Sequence, residues 1–344
     1  MSKKARWRYV IGYLIGLALF GAIIYLGGIG SIQATLSPRL DFLLLCFAAN
    51  LLLFVTSSLR WGYVINKIEG YKVCSYYNYF VFFMSGRFLG QYISRAGGDL
   101  LLRPALLNRV NGVALKKGIY ATFLEKTFDL MLILILIIPA VLYLFKITPG
   151  YISLLIAITS FAALLVFSVQ RSSKFLGTFK RALLWGGFAL KKTPLLNRLA
   201  RDKYLEKINN LDKFKLLEKK TLHYLLAMTF VRLIFVIGRL YFLVAALGLS
   251  IPLSTLLVGI PVAQLSLILA LTPGALGVLE GGWYAVFAIA GIAPAERSAF
   301  LIGQRVYWFI FINLIFLMSY LIFGAKRLLL FRDVVAISAK GTDE

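Results

Sequence analysis

Two stretches join glycines to charges inside long apolar sequence. The first is Gly97-Gly98-Asp99-Leu100-Leu101-Leu102-Arg103. The second is Pro273-Gly274-Ala275-Leu276-Gly277-Val278-Leu279-Glu280-Gly281-Gly282. A charge at membrane depth costs roughly 2.5–3.5 kcal/mol on insertion scales, so it points to function by default. Glycine lets the backbone turn, or lets a second helix or a ligand come close. If both stretches dip into a bilayer, they build a polar site between membrane helices. Its chemistry is electrostatic. Arginines such as Arg103, Arg232 and Arg305 can hold a phosphate by charge-assisted hydrogen bonds. Asp99, Glu125 and Glu280 can balance those cations when the site is empty, or bind a cationic headgroup.

Each charge also has a plainer reading. Asp99 and Arg103 are four apart, share a helical face and can pair; a surface i,i+4 pair of little energetic weight is the alternative. Asp99 is expected to cap a short helix over Asp99–Asn108. Glu125 and Asp129 share a face next to Lys126, as an interfacial cluster or as the lining of a water-filled vestibule. Arg232 and Arg239 are seven apart on one face, with Arg232 near the middle of an apolar run. It is expected to face the bundle near Glu125, Asp129 or Glu280, as a structural salt bridge or as a phosphate contact. The cysteines are Cys46 and Cys74 and the single histidine is His223, with no CxxC pattern, which argues against zinc or haem; no cofactor or metal is expected.

The elements that would position these residues are membrane helices. The chain has 344 residues, 60% of them hydrophobic, and a mean hydropathy of +0.84. Soluble domains are about 45–50% apolar, and several runs here reach the roughly 20 residues that span a bilayer. An all-α polytopic membrane protein follows, with residues 1–344 as one membrane domain. The net charge of +24 lies mostly in loops flanking the apolar runs. That matches the positive-inside rule and is compatible with attraction to anionic headgroups, rather than with nucleic-acid binding.

Lys3, Lys4, Arg6 and Arg8 precede a first span over Val10–Gly28, ended by Gly27-Gly28 and Gly30, with the N-terminus cytoplasmic. A second span covers about Leu40–Leu59 and ends at Arg60-Trp61, read as an interfacial anchor. Tyr76–Ser94 is aromatic but interrupted by Asn78, Gly86, Arg87, Gly90 and Gln91, which suggests a re-entrant or broken helix covered by protein. Further spans are expected at about Gly118–Phe145, Tyr151–Val169, Leu222–Leu249, Leu253–Leu271 (with Gln264) and Ala299–Gly324 (with Gln304 and Arg305). Ala275–Ile292 either spans or re-enters. Arg171–Thr221 is strongly basic with recurring apolar residues, a cytoplasmic loop carrying amphipathic helices. About eight spans with both termini cytoplasmic, in the cell membrane, satisfy the charge rule. Gly97-Gly98-Asp99 and Gly277 with Glu280 form a faint echo between the halves, the sort of matched break found around midplane sites in repeat-built transporters.

Arg60-Trp61, Gly97-Gly98-Asp99 with Arg103, Glu125-Lys126, and Thr272-Pro273-Gly274-Ala275-Leu276-Gly277 with Glu280 occur in an order and spacing that resembles the flippase-like membrane-domain family of lysylphosphatidylglycerol synthases. The resemblance covers almost the whole chain. It implies movement of a lipid between leaflets, with stand-alone relatives handling polyprenyl-linked or hopanoid lipids and some described as glycosyltransferases. No synthase domain is expected here, so lipid aminoacylation is not expected from this chain alone. The chain departs from the family pattern in three places. Lys126 replaces an arginine and loses its planar fork. Gly274 stands where serine or alanine is common. Leu279 stands where an arginine often precedes the glutamate.

Two functions from different classes follow. The first is a lipid translocase moving a phosphate-bearing lipid, an anionic phospholipid or a polyprenyl-phosphate lipid, through a charged groove. In this reading Asp99, Arg103, Glu125, Arg232, Glu280 and Arg305 contact substrate, and Gly97, Gly98, Pro273, Gly274 and Gly277 serve the backbone movement. With no GxxxxGK[ST] motif, such transport runs downhill or is coupled to an ion. The second is a membrane glycosyltransferase using a polyprenyl-phosphate sugar, with Asp99 or Glu280 as base. The lack of a DxD-type motif and of a large outer loop weighs against it. A homo-oligomer or a separate lipid-modifying enzyme is a possible partner.

Overall fold

The computed structural model describes residues 30–92, 97–170, 219–266 and 276–323, with isolated positions before residue 30. Among them every regular element is helical. Residues 30–36 continue as helix past Gly30, where the glycines predict a stop, up to the break at Ser37-Pro38. The first span over Val10–Gly28 and nearly all of the basic loop 171–221 lie outside the described residues.

Among the described residues four helices are long and apolar enough to cross a membrane. They are α1 (Leu40–Glu69), α4 (Leu115–Leu144), α6 (Lys219–Ala246) and α9 (Pro294–Phe323). A further apolar helix, α5 (Gly150–Gln170), packs against α4 and α6. The chain has α1 ending ten residues later than its expected stop at Leu59, at Gly70, whose φ of 82° forms a left-handed cap. Arg60 and Trp61 therefore lie within the helix, both fully buried, and are not an interfacial anchor. Arg60 needs no headgroup region because carboxylates on neighbouring helices meet it inside the bundle.

Between the long helices lie two hairpins of shorter ones. The first joins α2 (Tyr76–Tyr92) to a π-helical turn (Gly98–Leu102) and α3 (Arg103–Asn111). The second joins α7 (Leu253–Ser266) to α8 (Val278–Ile289). At 1.5 Å per residue, α2 is about 26 Å long, α7 about 21 Å and α8 about 18 Å, against a hydrocarbon core of about 30 Å. Thus α2 is a continuous helix rather than a broken one over its described length. Its arginine and glycines are accommodated because they face protein: Arg87 is buried, as are Gly86 and Gly90.

The hairpins enter from opposite ends of the bundle. The start of α4 touches the end of α1 through Lys117 Nζ and Glu69 Oε2, 2.9 Å apart, and Asn66 Oδ1 of α1 accepts from Tyr79 Oη at 2.7 Å. The first hairpin therefore leaves and returns at that end. At the other end, Arg39 donates its N–H to Ala246 O, Ser250 N–H reaches Glu296 Oε1 at 3.0 Å, and Tyr143 Oη lies 3.2 Å from Ser254 Oγ. These contacts gather the start of α1, the end of α4, the end of α6 and the starts of α7 and α9. The second hairpin leaves and returns there. Each half thus reads long helix, short hairpin, long helix, with the second half inverted relative to the first. The faint echo between Asp99 and Glu280 in the sequence belongs to this repeat.

Glycines set the close approach within each hairpin. A Cβ on Gly98 would run into the carbonyl oxygen of Gly86 and sit 2.7 Å from Gly90 Cα, so two backbones touch. In the second hairpin Gly259 lies under the Trp283 ring, and Gly282 packs on Ser266 and Ala263. Gly98→Ala is therefore expected to lower the thermal midpoint of the purified protein in detergent, at the upper end of the roughly 1–3 kcal/mol typical of overpacking. An unchanged midpoint would mean that the hairpin has slack the geometry does not show.

Candidate functional site

Among the described residues eight ionisable side chains meet inside the bundle. Arg60 Nη2 reaches Glu125 at 3.0 Å, and its Nη1 reaches Asp129 at 2.8 Å and donates to Thr229 Oγ1 at 2.7 Å. Arg103 reaches Glu125 at 3.1 Å and stands 3.9 Å from Asp99. Asp99 is also 2.8 Å from Lys126 and 3.3 Å from Arg87, and Arg232 is 3.0 Å from Asp129. Five cations face three carboxylates. The Arg60 and Arg103 side chains have no exposure at all, and Glu125 is 1% exposed. Arg103 lies between the Trp61 and Phe83 rings, 4.8 and 4.9 Å from their centroids, where the two apolar cores of the bundle meet.

The depth of the network follows from helix arithmetic. Arg60 is nine residues from the end of α1 and Glu125 ten from the start of α4, about 14–15 Å from that end of the bundle. This is half the thickness of a hydrocarbon core. Glu125 and Asp129 thus lie deep rather than at an interface. Asp99 and Arg103 are a buried pair, not a surface one. Asp99 does not cap a helix: Gly97 before it already has helical angles, no side chain caps there, and Asp99 sits in the π-helical turn. Arg232 does face one of its three expected partners, Asp129.

Glu280 belongs elsewhere. Its Oε2 accepts from Gly277 N–H at 2.8 Å and its Oε1 lies 3.4 Å from Arg305. Gly277, with φ of 82°, takes a backbone angle that favours glycine at the start of α8. Glu280 and Arg305 line a cavity of about 190 Å³, with Arg87 and Gln91 from α2, Gln264 from α7, Arg239 from α6, and Gln304 and Trp308 from α9. Arg305 is eleven residues into α9 and Arg87 eleven into α2, each about 17 Å deep from its own end. The cavity and the network meet at Arg87.

The expected site residues therefore fall into two groups. Asp99, Arg103, Glu125 and Arg232 form the network, and Glu280 and Arg305 line the cavity. Gly97 and Gly98 lead into the π-helical turn. Pro273 and Gly274 lie outside the described residues. Sequence reasoning assigned Arg60 to the wrong setting and gave Arg87, Gln91 and Arg239 no role. Their signal was present: each is a cation or amide inside an apolar run.

The comparisons agree with the architecture. The family described as the lysylphosphatidylglycerol synthase TM region matches residues 9–315. A UPF0104 membrane protein of Methanothermobacter thermautotrophicus is 23% identical over 318 residues, covering 86% of this chain and 90% of its own length. No solved structure matches. With helices long enough to cross a bilayer and a family match over most of its length, the chain is a multi-pass membrane protein that belongs to the lysylphosphatidylglycerol synthase TM-region family.

Proposed function

We propose that this protein is a lipid translocase that moves a polar, phosphate-bearing lipid between leaflets. One observation carries the reading: a cation-lined cavity lies at mid-depth, walled by helices of two hairpins that enter from opposite ends of the bundle. Matched breaks around a midplane site are the pattern of transporters built from inverted repeats. The cavity reaches the flank of the bundle. Phe309 lines it and is 45% exposed, and Tyr92 beside it is 46% exposed. A headgroup can enter there while its tails stay in the bilayer.

In this reading Arg87, Arg239 and Arg305 meet the headgroup, and the Asp99, Arg103, Glu125 and Arg232 network holds the first hairpin in place. Rocking of one hairpin against the other would expose the cavity to each leaflet in turn. No nucleotide-binding motif supplies energy, so movement is downhill or coupled to an ion through a carboxylate. The positive-inside rule puts both termini on the cytoplasmic side of the cell membrane, and an even number of crossings by α6 and α9 around a re-entrant hairpin agrees with that.

The test is reconstitution in liposomes carrying a fluorescently labelled phospholipid whose outer-leaflet copy can be chemically bleached. The expected result is bleaching of nearly all the label with protein, against about half without it, the share a sealed bilayer exposes. Bleaching stalled at half with correctly folded protein would sink the reading. A new glycosylated product from a polyprenyl-phosphate sugar would replace it with the transferase.

A further inference from the structure

We infer that the cavity selects an anionic headgroup, a phosphodiester bearing a small, uncharged, hydroxylated substituent, and rejects headgroups that carry an ammonium group. The inference rests on the translocase reading and names its substrate class.

The cavity's charge balance is the first ground. Among the described residues the cavity is lined by three arginines and one carboxylate: Arg87 is already paired with Asp99 at 3.3 Å, and Glu280 is occupied by Arg305 and by the Gly277 N–H. Arg239 has no carboxylate within salt-bridge distance among the described residues; its guanidinium lies 4.8 Å from the centroid of the Trp308 ring. An ammonium entering here would meet cations and no free carboxylate. A phosphate would meet the cation that has no counter-ion.

The orphaned polar atoms are the second ground. Buried polar groups are nearly always hydrogen-bonded, so exceptions ask for an explanation. Arg87 Nε, Arg239 Nε and Gln91 Nε2 are buried without a hydrogen-bond partner. All three belong to residues lining the cavity, and all three are donors. Arg87 as a whole is only 7% exposed. Side chains that carry unmet donors in the cavity wall favour an acceptor-rich ligand, which an oxyanion is.

Size and the remaining wall set the substituent. About 190 Å³ is smaller than the roughly 300–1,000 Å³ of sites that enclose a drug-sized ligand. It suits a phosphate with a glycerol-sized group and is too small for an oligosaccharide. Gln264 and Gln304 offer both donors and acceptors to hydroxyls.

The experiment is native mass spectrometry of the full chain in detergent, titrated separately with phosphatidylglycerol, phosphatidylcholine and lysyl-phosphatidylglycerol, and with free glycerol 3-phosphate as competitor. Phosphatidylglycerol is expected to bind at least about tenfold more tightly than either of the others, a difference of about 1.4 kcal/mol. A net charge of +24 attracts any anionic lipid, so the variants locate the site. Arg239→Gln strands no carboxylate and should fold; it is expected to bring phosphatidylglycerol down to the phosphatidylcholine level, and Gln91→Leu to do so in part. Equal affinity for phosphatidylglycerol and phosphatidylcholine, tighter binding of the lysyl lipid, or a preference untouched by both variants would overturn the inference. Displacement of the lipid by an equal concentration of glycerol 3-phosphate would overturn a lipid as the occupant, and failure to displace it supports one. Selective binding without scrambling would sink the translocase reading alone, whereas scrambling with no headgroup preference would sink this inference alone.

Discussion

Glu125→Leu should destabilise the fold by on the order of 3–5 kcal/mol, the cost of breaking a buried ion pair from one side. Glu125 bonds two guanidiniums, Arg60 at 3.0 Å and Arg103 at 3.1 Å, and both are fully buried. Arg60 would keep Asp129 and Thr229. Arg103 would be left with Asp99 at 3.9 Å, too far for a hydrogen bond. The readout is the thermal midpoint and monodisperse yield of detergent-purified protein. A second variant separates charge from packing. Arg103→Met in the Glu125→Leu background removes the stranded cation, and a flexible thioether can fill the slot between Trp61 and Phe83. Partial recovery of the midpoint is expected. If Glu125→Leu alone melts like wild type, the network contributes nothing to the fold.

The membrane class was legible in the sequence because hydropathy needs no partner: a run of apolar residues long enough to span announces itself. The charges were legible as anomalies for the same reason, and Asp99, Arg103, Glu125, Arg232, Glu280 and Arg305 all proved to be partly or fully buried. What they touch was not legible. Arg60 shows why. A cation next to tryptophan at the end of an apolar run has the composition of an interfacial anchor, and only the position of α4 shows that Glu125 and Asp129 are within reach. The separation in sequence between Arg60 and Glu125 is 65 residues, and no local pattern encodes it.

The second hairpin shows a different limit. Its sequence reads as a span over Leu253–Leu271 followed by a segment, Ala275–Ile292, that spans or re-enters, because helices of 14 residues and 12 residues in one apolar stretch have the hydropathy of longer runs. The contacts at Ser250, Glu296 and Ser254 decide it by putting both ends of the hairpin on one side. Arg239 was seen as sharing a face with Arg232, yet the two part company in space. Seven residues carry Arg239 about 10 Å further along α6, from the carboxylates into the cavity.

That separation leaves one residue common to both regions, and Arg87→Gln is expected to lower lipid scrambling by on the order of 10- to 100-fold while the protein still folds. The structural cost is small because Asp99 keeps Lys126 at 2.8 Å and Arg103 at 3.9 Å, so no carboxylate is stranded. The functional cost is that of a hydrogen bond to a charged group, about 1.5–3 kcal/mol, at a site that in this reading holds a phosphate. Arg87→Lys should be impaired too, since an ammonium cannot pair with Asp99 and present a second donor face to the cavity in the way a guanidinium fork does. Arg232→Gln is the comparison. Arg232 pairs with Asp129, which retains Arg60 at 2.8 Å, and it does not line the cavity. Its scrambling rate is expected to stay within about threefold of wild type, a change of less than 1 kcal/mol. Rates measured in liposomes and normalised to folded protein distinguish the two. A large loss in Arg232→Gln with little in Arg87→Gln would move the headgroup out of the cavity and into the network, where Asp129 rather than Asp99 would be the carboxylate it displaces.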